Sequence, residues 1–175
     1  SSSGLGTGGQ DWAMRLGYSS LKDDEATLGG AFQSRFGGDD ATRMSAISLE
    51  ARRDVGAWTF SGSLEAASAR VDTLNVSGLW TSAWSLSAQH PFAGGAMRFS
   101  AGQPRRAEGG ALVFNAPVEV TRSGAIFYEQ RTAGLTPSGR EFDLEAVWVT
   151  NLGDLTTFEA AAALSSQPNH IANAE

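Results

Sequence analysis

From Trp12 to Tyr18 the apolar residues Trp12, Met14, Leu16 and Tyr18 alternate with Ala13, Arg15 and Gly17. A period of two places one set of side chains on each side of an extended chain, so this segment predicts a β-strand with one apolar face. The pattern recurs more weakly over Ala26–Phe36 and clearly over Met44–Arg52 and Ala57–Ala69. Arg53-Asp-Val-Gly56 separates the last two and predicts a hairpin. Further strands are expected over Leu79–Ala88, Ala96–Gly102, Ala111–Phe114, Ala125–Arg131, Arg140–Thr150 and Leu155–Leu164. The breaks between them are Pro91 with Gly94-Gly95, Gly109-Gly110, Pro137-Ser-Gly139 and Asn151-Leu-Gly-Asp154. Leu64–Arg70 and Phe158–Leu164 are rich in good helix formers, but neither has a convincing cap and the alternation runs through both, so they are read as strands.

About ten strands with frequent turns, and no spacing long enough for βαβ crossovers, predict an all-β antiparallel meander. The expected architecture is a β-barrel, with a β-sandwich as the alternative. Residues 1–10 read as a flexible Ser/Gly linker and residues 11–175 as one domain. On the less apolar side the strands carry Ser, Thr, Gly, Ala, Arg, Gln and Glu, which suits either a polar lumen or a solvated face. The large aromatics Trp12, Tyr18, Phe36, Trp58, Trp80, Phe114 and Tyr128 fall near expected strand ends, where they would serve as membrane-interface girdles or as core residues. On the polar side, Glu141, Asp143 and Glu145 alternate along one strand and repel unless screened; Arg15, Arg35, Arg98 and Arg140 are the candidates to compensate them.

Composition narrows the functional classes. Charged residues make up only 18% of the chain and the formal net charge is −6. A nucleic-acid surface needs clustered cations, so that partner is not expected. There is no cysteine, hence no disulfide framework or thiolate metal site. No apolar run approaches the roughly 18 residues of a membrane-spanning helix, and the first residues lack the basic and apolar regions of a signal peptide.

Candidate chemistry is sparse. Gly4-Leu-Gly6-Thr-Gly-Gly9 matches a dinucleotide-binding pattern in letters, but it lacks the preceding strand that such a loop needs and reads as linker. His90 and His170 stand apart from carboxylates in the sequence and read as exposed loop and tail residues. Asp23-Asp24-Glu25 and Asp39-Asp40 follow no calcium-loop spacing and read as solvated hairpin loops. Arg52-Arg53 and Arg105-Arg106 read as surface charge. No catalytic, cofactor or metal site is expected.

The run Leu135-Thr-Pro-Ser-Gly-Arg-Glu-Phe-Asp-Leu-Glu145, with the aromatic strand after it and Gln167-Pro-Asn-His-Ile-Ala172, resembles the C-terminal, autotransporter-like region of alphaproteobacterial subtilisin-family (S8) serine peptidases. The resemblance covers roughly the last 40 residues. It implies a barrel-like module placed after a protease domain and concerned with secretion or attachment, and none of that family's Asp, His and Ser catalytic motifs is matched. Ala174-Glu175 departs from the aromatic residue on which outer-membrane barrels usually finish. The expected function is therefore a non-catalytic outer-membrane or cell-surface barrel that anchors or translocates a passenger protein and contacts outer-membrane lipid. Two alternatives stand beside it. One is a soluble periplasmic or extracellular β-domain that binds another protein or serves in an envelope complex. The other is a lipocalin-type small-molecule binder.

Overall fold

The computed structural model describes residues 1–23, 42–71, 76–153 and 156–172. Its strands are β1 (Ser2–Gly8), β2 (Trp12–Asp23), β3 (Thr42–Val55), β4 (Trp58–Val71), β5 (Val76–Phe92), β6 (Gly95–Val120), β7 (Ile126–Gly134), β8 (Phe142–Gly153) and β9 (Thr156–Ser166), followed by a short 3-10 turn, Pro168–His170. All nine strands join one antiparallel sheet in the order β1-β2-β3-β4-β5-β6-β8-β9, with β7 pairing β6 beside β8. The two segments rich in helix formers lie in β4 and β9 and are strands, as the alternation predicts.

The sheet is open. Among the described residues no ladder joins β1 to β9, which corrects the expected barrel; of the two architectures expected, the one with free sheet edges, a sandwich-type sheet, agrees with this topology. An open sheet leaves the outward N–H and C=O groups of its edge strands without partners, a condition that hydrocarbon does not tolerate. The outer-membrane barrel, its anchoring or translocating role and its membrane location lose their premise on that ground. Separately, no described helix is long and apolar enough to cross a membrane.

Two local expectations also change. Residues expected as linker form β1, in register from Ser2 opposite Ser19 to Gly8 opposite Ala13. Gly4 to Gly8, whose letters match a dinucleotide-binding pattern, are thus extended chain and open no helix. Gly109-Gly110 does not turn the chain but lies inside the 26-residue β6, so two expected strands are one. The expected strand over Ala26–Phe36 lies outside the described residues, as do Phe36, Arg35, Asp24, Glu25 and the Asp39-Asp40 pair.

The hairpin of β3 and β4 shows how sequence sets register. Gly56-Ala57 connects Val55 to Trp58, and Gly56 takes φ 60, a left-handed value cheap only for glycine. The adjoining pair is pinned on one side, where Thr59 Oγ1 donates to Asp54 Oδ1 at 2.6 Å and Arg52 adds a contact at 3.3 Å. That register carries Leu5, Leu16, Leu49, Leu64 and Trp84 across five strands in one row.

The row belongs to a face shared by Trp12, Met14, Tyr18, Ile47, Phe60, Leu86, Phe99, Leu144 and Leu164. The opposite face carries Arg15, Glu50, Ser63, Ser85, Ser100 and Glu145. Among the described residues the buried apolar side chains are Ala46, Ala67 and Val147, all on this second face. Among the described residues, no core of large aliphatics exists within the sheet.

Candidate functional site

Two features stand out once side chains are placed on the sheet: an uncovered apolar face, and a polar cluster where β6 changes neighbours.

The apolar face is built by alternation alone. Leu5, Leu16, Leu64, Leu86 and Leu164 each leave more than half of their surface exposed. A shallow trough of about 650 Å³ crosses β4, β5, β6, β8 and β9 on this side, lined by Phe60, Leu86, Phe99, Leu144 and Leu164. Trp84 packs on Phe142 at 5.6 Å between ring centroids, and Trp148 meets Phe158 edge-on at 5.7 Å, so the aromatics contact one another across strands and remain open above. Apolar area is unfavourable in water by roughly 25 cal/mol per Å², and large contiguous apolar patches mark contact surfaces.

The polar cluster has a topological cause. Along one edge β6 pairs with β8 over Gly95–Gly102 and with β7 over Ala111–Val120, which leaves residues 103–110 without a strand on that side. The loop from β7 to β8 and the C-terminal turn fill the gap. Arg106, buried, donates from Nε to the Gly139 carbonyl at 2.8 Å and from a terminal nitrogen to the Pro137 carbonyl at 3.0 Å. Glu108 accepts from the Ser82 hydroxyl at 2.7 Å, from Arg106 at 2.5 Å and from Arg140 at 2.9 Å. Arg140 also donates to the buried Gln103. Burial pushes the Glu108 pKa up, but the hydrogen bonds from Ser82 and Arg140 and the charges of both arginines outweigh it and hold the carboxyl below its ordinary value.

His170 closes the cluster from the C-terminal side. Its Nδ1 accepts the Glu141 N–H at 2.8 Å, so Nε2, 3.1 Å from the Arg105 carbonyl, is the nitrogen that carries the proton. Glu141 in turn accepts from the Asn169 N–H at 2.8 Å and from the Ser165 hydroxyl at 3.3 Å. Both ring nitrogens of this neutral imidazole serve the fold. His170 and Arg106, expected as an exposed tail residue and a surface charge, are instead buried. Nothing local in the sequence signals either, since both depend on a gap made by strands far apart in the chain.

Trp12, Tyr18, Trp58, Trp80, Phe114 and Tyr128 lie in strands and are 37–61% exposed, so none is a core residue of the sheet. Arg98 pairs with Glu145 at 3.2 Å and Arg15 with Glu50 at 3.9 Å, both well exposed. Asp143 and Glu145 share one face of β8, opposite Phe142 and Leu144, while Glu141 stands just before the strand. His90, expected in a loop, lies within β5 and packs against Trp58 with ring centroids 4.6 Å apart and the planes tilted by 47°. Comparison with protein-family models, with curated proteins and with solved structures finds no match.

Proposed function

We propose that this chain is a non-catalytic binding domain whose apolar sheet face is covered by the surface of another protein. The observation that carries the reading is the face itself: a continuous row from Leu5 to Trp84, exposed from Leu5 to Leu64, with the trough beyond it, in a sheet whose buried apolar side chains among the described residues are Ala46, Ala67 and Val147. Its size suits a protein surface better than a small ligand, since ligand sites enclose most of their occupant and this trough is open. The ionisable groups described in the cluster are engaged in holding segments together: Glu108 by three donors, Arg106 by two carbonyls, His170 at both ring nitrogens. That supports a binding role over a catalytic one. An envelope complex in which this sheet forms one layer fits the same observation.

The test is site-specific photocrosslinking in the native cell, with a crosslinking residue at Leu86 or Phe99 on the apolar face and at Ser63 or Ser85 on the other. Adducts with a second polypeptide from Leu86 and Phe99, and not from the serine positions, are expected. Adducts with lipid alone, or equal labelling from both faces, overturn the reading.

A further inference from the structure

The free edge at β9 makes a separate statement, independent of what covers the apolar face. Sheet edges that must stay single are ordinarily blunted by lysine, proline or a bulge. β9, Thr156-Thr-Phe-Glu-Ala-Ala-Ala-Ala-Leu-Ser-Ser166, has neither lysine nor proline, and its single charge is Glu159. Among the described residues it pairs only with β8. The other edges are less inviting: β1 carries Gly4, Gly6 and Gly8, which weaken a strand, and β7 carries Glu129 and Arg131.

We propose that β9 is a self-pairing edge, through which two copies of this chain join into one continuous antiparallel sheet with Ala161 opposite Ala161. The span of the strand and the place of its one charge favour this register. Ala161 is the midpoint of the 11-residue strand, so only this pairing gives every residue a partner: Thr156 meets Ser166, Phe158 meets Leu164, Glu159 meets Ala163 and Ala160 meets Ala162. Antiparallel partners point to the same side of a sheet. Phe158 and Leu164 therefore extend the apolar face that Leu144 and Trp148 begin on β8, and Glu159 meets a methyl group. A two-residue shift toward the N-terminus leaves an end unpaired, and a four-residue shift sets Glu159 against Glu159, a destabilising like-charge pair.

The test is self-association of the whole chain in a mild detergent that covers the apolar face and leaves the edges free, measured by analytical ultracentrifugation. A dimer is expected. Ala161→Glu and Ala161→Lys each place like charges opposite one another and should weaken it roughly fivefold, with the far-ultraviolet dichroism of the parent retained; mixing the two variants should restore it. Because the chain has no cysteine, Ala161→Cys should oxidise to a covalent dimer, while Ser63→Cys inside the sheet should not. A monomer at all concentrations overturns the proposal. So does a dimer indifferent to both charges, and one lost on Phe99→Glu but not on Ala161→Glu, which would move the contact to the apolar face.

Discussion

Glu108 sits among Ser82, Arg106 and Arg140 with little of its side chain exposed. Replacing it by glutamine leaves two guanidinium groups without their counter-charge, and a hydrogen bond to a charged group contributes about 1.5–3 kcal/mol. Glu108→Gln should lower stability by about 2 kcal/mol at neutral pH, read as a shift in the urea midpoint with an unchanged slope. The same carboxyl has its pKa depressed in the folded chain, so the unfolded chain takes up its proton first as pH falls. Its contribution is thus complete above the ordinary value of 4.5 and is lost as pH drops through the lower folded value. Glu108→Gln should flatten that acid limb. Asp54 behaves alike: the Thr59 hydroxyl, with the smaller help of Arg52, outweighs its desolvation and lowers its pKa. Thr59→Val should move the Asp54 titration, followed by NMR, back up toward 3.8.

At the scale of elements, Gly95 is where β6 begins beside β8. A Cβ there would stand 2.0 Å from the Val149 carbonyl oxygen, a backbone atom that cannot step aside. Gly95→Ala should therefore open the first pairs of β6 with β8, at a cost of about 1–3 kcal/mol, and speed amide exchange in Val149 and Thr150. Most strands were legible in the sequence because each has one apolar side and a glycine-bearing turn, as with Trp12–Tyr18 and the hairpin at Gly56. The failures share a cause. Gly109-Gly110 signals a turn locally, yet β6 passes through it because β5 pairs it on one side, from Val76 opposite Leu112 to Phe92 opposite Gly95. Likewise the glycines of β1 read as linker because a strand of seven exposed residues carries no periodic signal of its own; the ladder with β2 makes it a strand. Arg106 and His170 belong to the gap at residues 103–110, which no short window of sequence can reveal.

For the molecule as a whole, alternation predicts that one face is apolar but not what lies against it, and closure depends on whether the first and last strands meet. That is why the apolar face was legible and the barrel was not. The consequence is measurable in the isolated chain. In a packed core, leucine truncation costs about 2–5 kcal/mol. Leu16, Leu49 and Leu64 are 51%, 38% and 53% exposed, so Leu16→Thr, Leu49→Thr and Leu64→Thr should each cost less than about 1 kcal/mol of folding stability, the span of strand propensities. The same changes should reduce binding of a solvatochromic dye to the sheet and abolish crosslinking to a partner. Losses of core size would mean that the row is already covered within the chain.

The departure of β8 from simple neighbour order bears on how the chain assembles. Each strand up to β7 pairs with the one just made, so these contacts join neighbours in chain order, a pattern that favours fast folding. The first third of β6 then waits until some forty further residues have been synthesised, for β8 must return past β7 to reach it. During translation, Gly95–Gly102 is therefore a transient sticky strand, the point at which a chaperone would be most useful to the emerging polypeptide.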